Sequence, residues 1–207
     1  MAPAATSAFI PLETYLRTSY EPDVEYVDGE LEERNVGEFA HSMIQRAILF
    51  WFYLHEKEWR IRAIQEQRTL VDVTKVRLPD VSVFSRKIPI EQIFTRPQLI
   101  AIEILSPEDR DRGRHYRIAK KINDYMKFGV LNIWVVDSNT REGWDCSNGD
   151  WVRKERFEAA NTPMYMTLTE SSQPSTKTVL EPCTDASDGK KTPESCGLRG
   201  RASGRAL

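Results

Sequence analysis

The chain has 207 residues, 40% of them hydrophobic and 29% charged, with a formal net charge of −2 and a pI near 6.0. This balance suits one soluble globular domain with a modest extension. It excludes the strongly basic surface of a protein that coats nucleic acid, so any contact with DNA or RNA must be local. The densest apolar stretch, Ala47 to Leu54, falls far short of the roughly 20 residues that span a bilayer, and the first ten residues lack the basic start of a secretory signal. A cytoplasmic protein with no membrane association is therefore expected.

Cys146, Cys183 and Cys196 are odd in number and form no CxxC pair, which argues against a disulfide framework or a cysteine zinc site and for reduced thiols. Residues 1–10 are expected to be a flexible N-terminus and 11–169 a single domain. Residues 170–207, rich in Ser, Thr, Gly and Pro and poor in large apolar residues, cannot offset their ordering entropy by burial and are expected to be a disordered tail.

Pro11 to Arg17 can start a short helix. Asp23 to Asn35 reads as a hairpin turning at Asp28-Gly29, a dipeptide that tolerates positive φ. His41 to Trp59 is the clearest helix, because Ile44, Ala47, Ile48, Trp51 and Leu54 recur at helical spacing, and it should pack on a sheet. Three strand-like runs follow, Trp59 to Val73, Leu78 to Phe84 and Gln98 to Leu105, the last apolar except at Glu103. Asp109 to Phe128 predicts a second helix with Ile118, Ile122, Tyr125 and Met126 on one face and Gly129 as its C-terminal cap. Asn132 to Asp137 predicts another buried strand, and Trp144 to Phe157 a small hairpin around Asn148-Gly149. The expected class is α/β: a mixed central sheet flanked by helices, in the order helix, three strands, helix, strand, with edge hairpins.

An ionised carboxylate within QLIAIEIL costs several kcal/mol if unpaired, or else its pKa shifts and it neutralises. Asp80 sits at the start of the preceding strand, in LPDVSVF, where Pro79 can mark the strand's first residue, and adjacent strands could bring it beside Glu103. Two readings satisfy the pair. Both acids could hold a divalent cation such as magnesium. Alternatively, Asp80 could cap a turn while Glu103 forms a structural salt bridge with Arg68 or Arg77. Other chemistries find no support: Gly113 and Gly129 make no phosphate-binding loop, no serine lies in a nucleophile elbow, and His41, His55 and His115 are not spaced for a shared metal.

Leu78-Pro79-Asp80-Val81-Ser82-Val83 followed by Ala101-Ile102-Glu103-Ile104-Leu105-Ser106-Pro107 resembles the PD-(D/E)XK nuclease superfamily, and within it the Uma-two family of restriction-endonuclease-like proteins. The likeness extends to Glu25 through Leu31, to His41, to Lys121 through Tyr125, and to Gly129-Val130 and Ile133 through Asp137. It covers about Leu12 to Phe157. It implies a restriction-endonuclease-like core in which Asp80, Glu103 and the Ile104 carbonyl hold magnesium, or manganese in its place, for metal-dependent hydrolysis of phosphodiester bonds in nucleic acid, DNA foremost. It also implies that a homodimer would serve double-strand cleavage.

The superfamily's lysine two positions after the glutamate is Leu105 here. The resemblance implies a migrated lysine, for which Lys121, four residues before Tyr125 on the second helix, is the candidate and Lys120 its competitor. Glu30 matches the acid after the family's DGE turn and could supply a further ligand or orient water, or could be a solvated residue beside Glu32 and Glu33. His41 is expected at the start of its helix, facing the edge of the site. Arg110, Arg112, Arg114, Arg117, Lys120 and Lys121 could give one helix a phosphate-contacting face, or merely a solvated one. Leu105 keeps a second reading open, a nuclease-fold protein that binds nucleic acid or a protein partner without cleaving.

Overall fold

Strand β7 (Ile100–Leu105) is buried along its whole length, and its alternation organises the molecule. Ile100, Ile102 and Ile104 pack into one core cluster with Ile44, Ile48 and Phe52 of α2 (Phe39–Trp59). Ala101 and Leu105 point the other way, into a second cluster with Ile118, Ile122 and Tyr125 of α3 (Arg112–Phe128). Because side chains alternate along a strand, Glu103 shares the α3 face with Ala101 and Leu105.

The computed structural model describes residues 9–34, 38–106 and 112–168. The chain divides into two units, Met1–Pro174 and Ser175–Leu207. The second unit lies outside the described residues, as do residues 1–8 of the expected flexible N-terminus, the tail expected over 170–207, and Asp109, the expected start of the second helix.

The described elements are α1 (Leu12–Arg17), β1 (Val24–Val27), β2 (Glu30–Glu33), α2, β3 (Ile61–Gln65), β4 (Thr69–Asp72), β5 (Lys75–Arg77), β6 (Val81–Ser85), β7, α3, β8 (Asn132–Asp137), β9 (Gly143–Asp145), β10 (Val152–Arg153), β11 (Arg156–Glu158) and β12 (Tyr165–Thr167). They form a six-stranded sheet, order β10-β9-β8-β7-β6-β3, a four-stranded sheet, order β2-β1-β5-β4, and the β11-β12 pair. The six-stranded sheet is mixed, as expected: β7 and β8 are parallel, joined through α3, while its other neighbours are antiparallel. Gly129, at φ +96°, ends α3 with its amide donating to the Tyr125 carbonyl at 3.1 Å, the left-handed cap its sequence position suggested.

Two expectations need correction. The single run over Trp59 to Val73 is two strands in different sheets, β3 beside β6 and β4 beside β5. Glu66 divides them: it sits at φ +51° and donates its amide to the Asp80 carbonyl at 3.4 Å, so the chain turns there rather than running on. The hairpin around Gly149 closes with β9 and β10, but Phe157 belongs to β11, which pairs with β12. No described helix is long and apolar enough to cross a membrane. Cys146 is buried and free, and the other two cysteines lie outside the described residues.

Candidate active site

The β6–β7 register pairs Val81 with Ile102 and Val83 with Ile100. Carried one step further, it sets Asp80 opposite Glu103. Pro79 has no amide to give to a ladder, so β6 begins only after Asp80, whose side chain is left free to turn toward β7. Asp80 Oδ2 accepts the Ile104 backbone amide at 2.6 Å, which ties the two acids together across the strand pair. Both are almost fully buried, Asp80 at 6% and Glu103 at 2% exposure.

Glu103 does not pair with Arg68 or Arg77. Its Oε2 lies 2.7 Å from the Lys121 amine, and its Oε1 accepts the Tyr125 hydroxyl at 2.5 Å. Lys121 and Tyr125 are one helical turn apart, so a single stretch of α3 supplies both contacts. Leu105, on the same strand face, packs among Ile118, Ile122 and Tyr125, and the lysine amine comes from the helix laid over that face. Lys120 points elsewhere, exposed, with its amine 4.7 Å from the Tyr116 ring centroid. Arg117 is exposed on the same helix, Arg110 lies outside the described residues, and nothing is described for the side chains of Arg112 and Arg114.

The structure also brings Glu25 and Arg34 to the site, neither of them marked out by local pattern. Glu25 of β1 is 3% exposed. Its carboxylate meets the Lys121 amine at 3.0 Å, the Leu78 amide at 2.9 Å and Arg77 at 2.8 Å. Glu30, the candidate in the same hairpin, is exposed beside the turn, opposite Val27, at the outer end of the strand pair. Arg34, just past β2, places Nη2 2.8 Å from Asp80 Oδ1 and Nη1 3.4 Å from Glu66. His41, in the first turn of α2, sets Nε2 3.4 Å from Asp80 Oδ2, so it faces the site as its position suggested. Arg77 sits behind, 1% exposed, bonding Glu25, Glu32 and Asp124. Arg68 instead reaches Asp23 and the Tyr15 ring.

These contacts push the two acids apart in proton affinity. Burial raises Asp80, but the His41 hydrogen bond and the charges of His41, Arg34 and Lys121 outweigh it and hold the carboxyl down at about 2. Burial pushes Glu103 up, the Lys121 ammonium pulls it down, and the Asp80 and Glu25 carboxylates add to the rise, leaving it at about 7. Burial would lower Lys121, yet Glu103, Glu25 and Asp80 hold it well above the usual lysine range, so the amine is a cation at neutral pH.

The charge count explains the strain on Glu103. Six carboxylates (Glu25, Glu32, Glu66, Asp80, Glu103, Asp124) meet four permanent cations (Arg34, Lys75, Arg77, Lys121), and His41, lowered by burial but raised more by its hydrogen bond to Asp80 and that residue's charge, adds a fifth when protonated, so negative charge is still in excess. A divalent ion would offset that excess. Among the described residues no three His, Cys, Asp or Glu side chains converge as a metal cluster. Magnesium does not require one: it takes one or two carboxylates and keeps several waters. Asp80 and Glu103 therefore fit it in donor chemistry and in charge.

The Tyr125 hydroxyl donates to a carboxylate in a water-poor setting, where a hydrogen bond to a charged group contributes about 1.5–3 kcal/mol. Tyr125→Phe should lower stability by about that amount in urea denaturation. A variant as stable as the parent would mean that the hydroxyl does not hold Glu103.

The model of the Uma2 family, described as "Putative restriction endonuclease", matches residues 12–172. Among solved structures, the chain is similar to a crystal structure described as a putative nuclease belonging to DUF820 from Anabaena variabilis ATCC 29413. The TM-score is 0.64 at 22% identity, over 79% of this chain and 97% of that one. At that identity the likeness establishes a shared fold. No curated protein gives a match.

Proposed function

The chain belongs to the Uma2 family of restriction-endonuclease-like proteins, and on that premise we propose that it is a magnesium-dependent endonuclease hydrolysing phosphodiester bonds in DNA. One observation carries the reading: the β6–β7 register brings Asp80 opposite Glu103, and α3 delivers a lysine amine 2.7 Å from Glu103 on the strand face where Leu105 stands.

Asp80 and Glu103, with the Ile104 carbonyl, would hold magnesium or manganese, and such an ion supplies activation of the attacking water and neutralisation of charge at the phosphate. The protein's own groups do the positioning. The Ile104 amide fixes Asp80, and Tyr125 and Lys121 fix the two oxygens of Glu103. Lys121, charged at neutral pH, can orient the water and stabilise negative charge developing on the phosphoryl oxygens. Glu30 has no role in this scheme; Glu25 takes the third-acid position by holding the amine.

Binding without cleavage was favoured by the leucine at 105, and a lysine amine beside Glu103 weighs against that argument. Purified protein should nick supercoiled plasmid with magnesium or manganese and stop when the metal is chelated, and a dimer should also linearise it. Cleavage indifferent to chelation, or none with either metal, overturns the proposal.

A further inference from the structure

We propose that Arg34 is the resident counter-cation of Asp80, displaced when a divalent ion enters and so freed to hold the phosphodiester; this rests on the nuclease reading above. Each acid at the centre already carries a protein cation. Lys121 lies 2.7 Å from Glu103, and Arg34 lies 2.8 Å from Asp80 Oδ1, while Asp80 Oδ2 is engaged by the Ile104 amide at 2.6 Å and by His41 at 3.4 Å. An ion taken up by Asp80 must therefore share the carboxylate with a guanidinium. Like charges competing for one carboxylate repel strongly where water is scarce.

Lys121 is the less free of the two cations to yield. Its amine is held between two buried carboxylates, so Glu25, at 3.0 Å, still balances it when Glu103 turns to metal. Among the described residues Arg34 has no such buried second anchor. The other carboxylate described beside it is Glu66, at 3.4 Å and 39% exposed, a contact weakened by solvent. The Arg34 side chain is 15% exposed, so it is not fully sealed from solvent. A displaced arginine presents a planar fork that matches two phosphate oxygens, which a lysine cannot do. The residue that competes with the ion in the free protein is thus chemically suited to bind substrate once the ion is in place.

The test uses full-length protein and the metal alone as probe. Calorimetric titration with Mn2+ and Mg2+ should show Arg34→Gln binding about tenfold tighter than the parent, the direction expected when a competing positive charge is removed. Arg34→Lys, which keeps the charge, should bind close to the parent. Plasmid nicking should fall about tenfold or more in Arg34→Gln despite the tighter metal. In the unaltered protein, the guanidinium NMR resonance of Arg34, assigned by its absence in Arg34→Lys, should shift on addition of Mg2+. This measurement does not depend on a variant folding. Arg34→Gln binding metal no tighter than the parent, or a resonance unmoved at saturating metal, overturns the role of Arg34 and leaves the nuclease reading intact. A parent protein that neither binds metal nor nicks DNA overturns both.

Discussion

Lys121→Leu should lower the metal-dependent cleavage rate by about 10²–10³-fold, the usual consequence of removing one preorganised donor from developing charge. The more telling result is the double variant. Leu105 stands on the same face of β7 as Glu103 and is packed under α3, so Leu105→Lys with Lys121→Leu returns the lysine to the strand and puts the apolar volume back through the helix. If the amine acts through its place beside Glu103, the double variant should recover about tenfold or more of the lost rate. Rates are to be compared at equal folded fraction, by circular dichroism, since Lys121→Leu alone leaves Glu103 and Glu25 short of a cation. An unchanged rate in the single variant removes the lysine from the mechanism. A double variant no better than the single one means that the helix provides something a strand lysine cannot.

Residues differ in how far the sequence exposed them. Glu103 was legible because an acid in an otherwise apolar strand demands a partner, and Asp80 because it is a second acid near the start of the preceding strand, although that strand begins at Val81 rather than at Pro79. Lys121 was reached through resemblance, and helical spacing then separates it from Lys120: residues 118, 121, 122 and 125 share the face turned to the sheet, while Lys120 falls outside it. Glu25 carried the same signal as Glu103, since it stands among Val24, Tyr26 and Val27, but its strand is four residues long and lies in a hairpin with three further glutamates. Which of those acids turns inward is decided by a partner about fifty residues away, the pairing of β1 with β5, and local pattern does not contain that. Arg34 was hidden for the same reason, because only the docking of the four-stranded sheet brings it to Asp80. The break at Glu66 was equally invisible: a glutamate gives no local warning of a left-handed turn.

The two sheets have separate tasks in this arrangement. The six-stranded sheet and its parallel β7–β8 step position Asp80 and Glu103. The four-stranded sheet brings Glu25 and Arg77, which hold the helix that carries the lysine. A site whose acids sit on one sheet and whose cations arrive from a helix and a second sheet needs those parts locked together, and the lock is ionic.

Arg77→Met should therefore destabilise the protein by about 3–5 kcal/mol, the range for removing one partner from a buried ion network. The guanidinium is 1% exposed and bonds Asp124 Oδ2 through Nε at 2.9 Å and Nη2 at 2.8 Å, and Glu25 and Glu32 through Nη1 at 2.8 Å each. Methionine keeps much of the stem's volume and leaves three carboxylates facing one another, with Lys75 on Asp124 and Lys121 on Glu25 as the remaining cations. Arg77→Lys should recover only part of the loss, because an ammonium cannot serve Asp124 through two nitrogens while also reaching Glu25 and Glu32. Urea denaturation gives the free energies. With total stability usually about 5–15 kcal/mol, the methionine variant should be close to unfolding at 37 °C. Adding Glu32→Gln, which removes the least buried of the three carboxylates at 30% exposure, should restore some stability by easing the repulsion. A methionine variant within about 1 kcal/mol of the parent would show that the three acids neutralise by taking up protons. The hold on α3, and with it the placement of Lys121, would then rest on packing among Ile118, Ile122 and Tyr125 rather than on charge.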